Sequence, residues 1–247
     1  MSARRIFVPP ERIAGGRAEL GPEGRHYLRD VLRLQPGEPV EAFDGAGGTF
    51  AGVVEDGFAA LRLGPRSESP PPAADIALAF ALAKGDRCDW VVQKATELGA
   101  SRLFPIAAAR SVVRLEPGRA EDRVRRWRRI AEEAARQCGR ADVPEVAAPG
   151  PLGAALDAAP PGFARIVFHG DGGRPVSALE PAPARGYLAV VGPEGGLAPE
   201  ELAACDAAGA IRASLGPRTL RAETAAIAVV VLLQARFGDL GPSRTPA

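Results

Sequence analysis

Short alternating runs of apolar and polar residues dominate the first third of the chain. These runs lie at residues 40–43, 49–54 and 59–63. Alternation is typical of half-buried strands, and the Asp-Gly steps at Asp44 and Asp56 between the runs are strong signals for hairpin turns. A polar, proline-rich stretch at residues 67–74 then interrupts every regular pattern and predicts a linker. We therefore predict a small β-rich domain over residues 1–70.

After the linker, apolar runs alternate with helical patterns. The predicted strands lie at residues 75–82, 102–106, 166–168, 187–191 and 210–215. The predicted helices lie at residues 86–98, 119–138, 199–208 and 221–237. Strands that alternate with helices predict an α/β domain over residues 75–247, with a mostly parallel sheet. A ligand of such a sheet is expected over the carboxyl ends of its strands.

Two of these helices have clear apolar faces. In the first, Asp86 is the predicted N-cap, with Asp89 three residues later. The residues on its predicted buried face are Val91, Ala95 and Leu98. The corresponding stripe of the second helix contains Val124, Trp127, Ala131, Ala134 and Cys138. We expect both tryptophans, Trp90 and Trp127, in the core rather than stacked on bases.

Composition narrows the class of protein. The 31 basic and 30 acidic side chains leave a net charge of +1, which excludes a polybasic binder, so any nucleic-acid contact must come from local clustering. The longest apolar run, residues 225–233, is too short to span a membrane, and prolines follow the first eight residues where a signal peptide would be apolar. The three cysteines and two histidines have no metal-ligand spacing. These features predict a cytoplasmic protein with reduced thiols and no metal.

Three glycine-rich or polar loops follow predicted strands, at residues 168–173, 191–197 and 215–224. Glycine lets the backbone approach a ligand closely, and the carboxyl ends of parallel strands meet at one edge, so we predict that the loops form one pocket. No sequence matches the dinucleotide-binding, Walker A, Gly-x-Ser-x-Gly or His-Glu-x-x-His motifs in a suitable context. Rossmann dehydrogenases, P-loop NTPases, serine hydrolases and zinc proteases are therefore disfavoured.

The pocket loops carry a resemblance to a known family. Gly192-Pro-Glu-Gly-Gly196 and Leu215-Gly-Pro-Arg-Thr-Leu-Arg-Ala-Glu-Thr224 together resemble the paired signature of SPOUT methyltransferases. The block from Lys84 to Gly99 and the segments 26–33 and 132–139 resemble, in order, the bacterial 16S rRNA uracil-N3 methyltransferase family, RsmE. The similarity extends over residues 5–240. Asp30 departs from the family pattern, which puts an uncharged or basic residue there.

The resemblance implies a fold and an activity. It implies a catalytic domain whose C-terminal segment threads a trefoil knot around S-adenosyl-L-methionine, and an N-terminal PUA-like RNA-binding barrel. It further implies methylation of N3 of one uridine in 16S rRNA, on the assembled small subunit or a late precursor. A homodimer is also implied. Independently, residues 225–233 are apolar on every side of a helix, so a second subunit is expected on one face.

The candidate cofactor-binding residues come from the three loops. His169 ends a strand, Glu194 lies in a tight turn, and Arg218 lies at a helix start, where a cation is unfavourable without an anionic partner. The full candidate set is His169, Gly192, Glu194, Gly195, Gly196, Leu215, Gly216, Arg218 and Leu220.

Two catalytic routes remain open. Methylation at N3 requires loss of the imide proton, which the carboxylate of Glu194 or Glu223 can accept. Alternatively, the guanidinium of Arg218 or Arg221 can stabilise the uracil anion. Glu223 can also pair with either arginine.

Basic residues in both domains are candidates for RNA binding. His26 and seven arginines precede residue 34 against four acids, a local charge of +3 with His26 neutral, and residues 110–140 hold ten arginines against five acids. Such clusters suit phosphate contacts, although a solvated helix face is the alternative. The assigned RNA-binding residues are Arg25, His26, Arg29, Arg33, Lys84 and Lys94.

Two other functions are kept as alternatives. A SPOUT enzyme can instead methylate a ribose 2′-hydroxyl of tRNA or rRNA, and a protein can keep the fold as a non-catalytic RNA-binding protein.

Overall fold

A computed structural model describes residues 4–113, 117–170 and 173–240. The chain divides into two compact units. The first ends at Pro71 and also includes Glu132–Val143, and the second comprises Pro72–Ala131 and the chain from Pro144 onward. The assignment of residues 1–70 and 75–247 to separate functional domains stays a prediction.

The first unit is built on a six-stranded sheet. Its elements are β1 (Arg5–Phe7), β2 (Ile13–Ala14), β3 (Arg17–Glu19), α1 (Pro22–His26), β4 (Pro39–Phe43), β5 (Gly48–Val54) and β6 (Ala60–Glu68). The strand order is β1-β4-β5-β6-β3-β2, antiparallel except for the β1–β4 pair. A π-helical turn, Tyr27–Val31, follows α1. Its Leu28 is buried in the hydrophobic core that the sheet residues form. The predicted β-rich unit is thus confirmed, and β6 extends into the predicted linker.

The β4–β5 hairpin is closed by Asp44. This carboxylate is buried and accepts hydrogen bonds from the backbone N–H groups of Ala46 and Gly48, both at 2.8 Å. Arg66 on β6 donates to its other oxygen, also at 2.8 Å. Burial opposes ionisation, but the three donors outweigh it and hold the pKa of Asp44 below its ordinary value.

The second unit is an α/β layer structure. Its elements are β7 (Asp75–Ala81), α2 (Arg87–Glu97), β8 (Ala100–Ile106), α3 (Pro117–Cys138, whose last turns belong to the first unit), β9 (Glu145–Val146), α4 (Leu152–Asp157), β10 (Ala164–Phe168), β11 (Arg174–Pro175), β12 (Gly186–Val191), α5 (Pro199–Ala207), β13 (Ile211–Ser214) and α6 (Ala222–Phe237). All seven strands pair in parallel, in the order β11-β13-β10-β12-β7-β8-β9. The predicted parallel sheet is confirmed.

Burial explains which elements the sequence pattern could reveal. Strands β7 and β12 are covered on both faces, so they appear as continuous apolar runs. The two-residue strands β9 and β11 and the six-residue helix α4 are too short to produce a period, so the sequence pattern does not predict them. No helix in the described ranges is long and apolar enough to cross a bilayer.

Expectations about three side chains are wrong. Trp127 is fully buried and donates from Nε1 to Asp89 at 2.8 Å, as a core residue should, but Trp90 is 43% exposed. The predicted N-cap position of Asp86 is confirmed, but its side chain forms no capping hydrogen bond, and Asp89 bonds α3 instead of its own helix start. Cys138 is exposed, because the buried stripe of α3 ends at Ala135, one turn earlier.

Candidate functional site

The three predicted pocket loops leave three neighbouring strands. Because β13, β10 and β12 are adjacent and parallel, their carboxyl ends lie side by side. The loops line a cavity of about 290 Å³, so their predicted convergence is confirmed. Residues 171–172 of the first loop lie outside the described residues.

Most of the candidate cofactor residues line this cavity. Those that do are His169, Gly192, Glu194, Gly196, Leu215, Gly216, Arg218 and Leu220. Gly195, Arg221 and Glu223 are not among the lining residues, although Ala222 and Ala225 of α6 are. The cofactor role of each residue stays a prediction.

The loop after β12 is a tight turn that favours glycine. Gly196 has φ +70°, and its N–H donates to the carbonyl of Pro193 at 2.8 Å. A Cβ on Gly192 would lie 3.0 Å from Cγ of Leu197, tighter than an ordinary contact. A Cβ on Gly196 would lie 3.5 Å from Cε1 of His169, so the first two loops nearly touch.

The loop after β8 forms hydrogen bonds with this turn and with the start of α5. Glu201 accepts from the N–H of Ala109 at 2.9 Å with one oxygen and from the N–H of Ala198 at 2.8 Å with the other. Arg110 donates from Nη1 to the carbonyl of Gly195 at 2.9 Å. Sequence analysis missed these contacts of Glu201 and Arg110, since Ala109 and Gly195 lie 92 and 85 positions away from them.

The two candidate bases share one arginine. Arg87, in the first turn of α2, donates from Nη1 to Oε1 of Glu194 at 3.0 Å. Its Nε lies 3.6 Å from Oε1 of Glu223. The expectation that Glu223 pairs with Arg218 or Arg221 is therefore wrong, because the start of α6 places its carboxylate beside α2. The other oxygen of Glu223 is buried without a hydrogen-bond partner.

Arg218 and Arg221 both lie before the first turn of α6 and are exposed. Within the described ranges neither forms an ion pair, so their guanidinium groups are available to an anion. Arg218 lines the cavity, and Arg221 is the N-cap residue of α6, between the lining residues Leu220 and Ala222.

Asp30 counteracts the predicted RNA-binding cluster of the first unit. His26 Nδ1 lies 2.7 Å from one oxygen of Asp30, and Arg29 binds both oxygens at 2.9 Å. The hydrogen bond from Arg29 lowers the pKa of Asp30 to about 2, against a smaller opposing effect of desolvation. Arg25 donates to the carbonyl of Leu20 at 3.0 Å. Arg33, with φ +53°, lies beyond the helical turns, so the expected helical spacing ends before it.

The two lysines differ. Lys84 is exposed, whereas Lys94 donates to both oxygens of Glu97 at 2.9 Å. Only Lys84 therefore has its charge free of an intrahelical carboxylate.

Two of the three cysteines, Cys88 and Cys205, are buried. Among the described residues, no group of three or more histidines, cysteines and acidic residues could hold a metal ion. Burial raises the pKa of the Cys88 thiol, and burial also raises that of Cys205 to about 11. Both buried thiols are therefore protonated at neutral pH and act as small apolar core groups.

Comparison with known proteins agrees with this site. The RNA methyltransferase domain family matches residues 69–234, and the RNA methyltransferase PUA domain family matches residues 20–58. The chain is 36% identical to ribosomal RNA small subunit methyltransferase E of Mycobacterium tuberculosis, over 83% of this chain and 81% of the relative. It is 32% identical to the protein of that name from Bacillus subtilis, over 81% and 82%.

Two solved structures share the whole fold. A methyltransferase from Legionella pneumophila, in complex with the cofactor SAM, has 31% identity and a TM-score of 0.87, over 97% of this chain and all of the other. Ribosomal RNA small subunit methyltransferase E from Neisseria gonorrhoeae, bound to S-adenosyl methionine, has 28% identity and a TM-score of 0.85, over 96% and 99%. With the parallel sheet, the cavity at its carboxyl edge and the PUA domain match, these similarities show that the chain belongs to the ribosomal RNA small subunit methyltransferase E family of RNA methyltransferases.

Proposed function

We propose that this protein uses S-adenosyl-L-methionine to methylate N3 of one uridine in the 16S rRNA of the small ribosomal subunit. The observation that carries the proposal is the cavity at the carboxyl ends of β10, β12 and β13, which is lined by the two motifs that resemble the uracil-N3 methyltransferases. The names of the relatives support small-subunit rRNA as the substrate, and the two SAM-bound structures support the cofactor.

The residues present suit S-adenosylmethionine. Leu197, Leu215 and Leu220 give the cavity apolar surface for an adenosyl group. Gly216, with φ +95° and no atom within 4 Å of an added Cβ, leaves backbone groups open to a ligand. Arg218 supplies a free cation for the methionine carboxylate. When bound, the cofactor supplies an electrophilic methyl group on a sulfonium.

The protein's contribution is to orient the uracil and to accept the proton that N3 loses. The neutral imide nitrogen is a weak nucleophile, so the N3 proton must leave before or during attack. A carboxylate at the cavity can accept that proton, and Arg218 or Arg221 can stabilise negative charge on the uracil. Oriented proximity of the two reactants accounts for about 7–11 kcal/mol of the barrier in favourable cases, so we expect positioning in the cavity to be a large part of catalysis.

The remaining features of the proposal concern architecture and partners. The first unit and the exposed Lys84 contact rRNA, and the C-terminal segment forms a trefoil knot around the cofactor loops. The protein acts as a homodimer in the cytoplasm without a metal. The exposed apolar side chains Val231 and Leu232 on α6 support the dimer.

Nucleoside mass spectrometry of 16S rRNA tests the activity. We expect N3-methyluridine in rRNA from cells with the protein and none in rRNA from cells that lack it. Purified protein, S-adenosylmethionine and small subunits from the deficient cells should restore it. A 2′-O-methylated nucleoside in its place would support the ribose alternative, and cofactor binding without transfer would support a non-catalytic RNA-binding protein.

A substitution tests the role of the arginine that begins α6. Arg221→Ala should lower the single-turnover methylation rate by about 10²-fold or more if the guanidinium stabilises developing negative charge, the scale seen on loss of one such donor. Binding of small subunits should change far less, as filter binding measures. A variant that transfers methyl at the parent rate would remove Arg221 from the proposed mechanism.

A further inference from the structure

The bridge of Arg87 between two carboxylates separates their roles. Glu194 lines the cavity, and its side chain is 43% exposed. Glu223 is only 14% exposed and does not line the cavity. A base that acts on a uracil must reach it, so only Glu194 is placed to touch the substrate.

Resting on the proposed function, we infer that Glu194 is the catalytic base and that Arg87 and Glu223 are positioning residues that hold its carboxylate towards the cavity. In the step itself, the N3 proton moves to an oxygen of Glu194. The nitrogen electron pair then forms the bond to the methyl carbon, while the carbon–sulfur bond breaks and its electron pair stays on sulfur. The protonated Glu194 afterwards releases its proton to water.

The physical reason is that the two carboxylates of Glu194 and Glu223 share a single cation, Arg87. Arg87 holds the carboxylate of Glu194 through a hydrogen bond at 3.0 Å, and the ionised carboxylate is the form that accepts a proton. Glu223 holds the guanidinium at the start of α2. Its negative charge, 3.6 Å from Nε of Arg87, partly offsets the effect of the arginine's positive charge on Glu194. Without this second carboxylate, the arginine would make Glu194 a poorer proton acceptor; without the arginine, the two carboxylates would repel each other.

Other titratable or charged side chains lie around the same cavity turn and must be considered in any pH experiment. Arg110 donates to the carbonyl of Gly195, His169 lies beside Gly196, Arg218 lines the cavity, and Arg221 is the N-cap residue of α6. All four stay the same in the variants below, so a difference between variants reports Arg87 or Glu223.

The test is the titration of the Glu194 carboxyl carbon by ¹³C NMR in cofactor-free protein, with Glu194→Gln identifying the signal. Arg87→Gln should move its midpoint to higher pH, because a stabilising cation is lost. Glu223→Gln should move it to lower pH, because a competing anion is lost. Each shift should be about half a pH unit, as expected for a partly exposed pair. Arg87→Lys keeps the charge and should stay near the parent midpoint.

The rate profiles complete the test. The acidic limb of the single-turnover rate should move in the same opposite directions, and Glu194→Gln should lose about 10²-fold or more in rate. Arg102→Gln is the matched control, because Arg102 pairs with Asp75 at 3.0 Å at the amino-terminal edge of the sheet, away from the cavity. It should change neither the titration nor the rate.

Shifts of both midpoints in one direction, or no shift, would overturn the positioning roles, since a purely structural effect has no reason to differ in sign. A parent-like rate in Glu194→Gln would overturn the base. Absence of N3-methyluridine with the parent protein would refute the proposed function instead, and the carboxyl titration would still decide the Arg87 bridge.

Discussion

Backbone conformation at single glycines determines whether the cavity loops can adopt their shape. Gly196 in the cavity turn and Gly209, between α5 and β13, have nearly the same φ, +70° and +72°. Gly209 precedes β13 and therefore lies at the opposite edge of the sheet from the cavity. A Cβ at Gly209 would meet no atom within 4 Å. Alanine variants of the two glycines can therefore be compared directly. Both introduce the same backbone strain, but only the one at Gly196 affects the cavity turn.

We predict that Gly196→Ala and Gly209→Ala each lower the free energy of unfolding by roughly 1–2 kcal/mol, the cost of a left-handed conformation for a residue with a Cβ. Only Gly196→Ala should weaken S-adenosylmethionine binding, by about tenfold, because the turn can relieve the same strain by leaving its binding conformation. Chemical unfolding and calorimetry measure the two effects. Equal cofactor affinities in the two variants would contradict a role of this turn in binding.

At the scale of elements, Asp44 connects the β4–β5 hairpin to β6. Its lowered pKa has a definite consequence for acid stability. The carboxyl stabilises the fold in full above its ordinary titration range, and the contribution is lost as the pH falls through the lowered value. The hairpin should therefore be one part of the first unit that acid loosens.

Asp44→Asn should lower the free energy of unfolding by about 1–3 kcal/mol at pH 7, since it removes a charge-assisted hydrogen bond from Arg66. The difference from the parent should shrink towards pH 3. Amide exchange at Ala46 and Gly48, whose N–H groups bond this side chain, locates the effect. A difference that stays constant with pH would show that shape and not charge stabilises the turn.

The exposed side of α6 is the second feature at this scale. Val231 and Leu232 are 36% and 39% exposed, while Val229, Val230 and Leu233 are buried. Burial of the outer side chains in a second copy would remove them from water at about 25 cal/mol per Å² of apolar surface.

Leu232→Glu should therefore convert a dimeric parent to a monomer in sedimentation at micromolar concentration. Val31→Glu, which places the same charge on an exposed apolar residue of the first unit, is the control and should leave the assembly unchanged. A parent protein that sediments as a monomer, or a dimeric Leu232→Glu, would contradict the homodimer.

At the scale of the whole molecule, the proposed division of labour assigns RNA positioning to the first unit and methyl transfer to the second. Replacing Arg29 and Arg33 with alanine should weaken binding to small subunits and reduce the salt dependence of binding by up to about two in slope. Cofactor affinity should not change. Arg62→Ala, on β6 of the same unit, is the matched control. Normal RNA binding by the double variant would place the contact surface elsewhere.

Asp30 allows the opposite experiment. Because it holds both His26 and Arg29, Asp30→Asn releases a guanidinium and raises the local charge by one. We predict tighter binding to small subunits and a steeper dependence on salt, measured by filter binding at several ionic strengths. Weaker binding would mean that Asp30 orients these side chains for RNA rather than restraining them.

Local patterns along the chain were sufficient to predict most of the fold and part of the site. Alternating residues with Asp-Gly turns identified the hairpins, and buried strands between helices identified the parallel sheet, because both periods are properties of neighbouring residues. The same logic identified the cavity, since the carboxyl ends of parallel strands must meet at one edge. The sequence therefore predicts the glycines and Glu194 as residues of the cavity.

Only the tertiary structure decided which charges meet. Arg87 and Glu194 are 107 positions apart, and Glu201 braces Ala109 across 92 positions, so no local period could connect them. The same holds for burial: Trp90 and Trp127 both lie on helices, but only Trp127 is on a face that packing covers. Sequence determines which side chains are available and how each element is built. Packing determines their partners, because an ion pair depends on distances in space that a one-dimensional pattern does not contain.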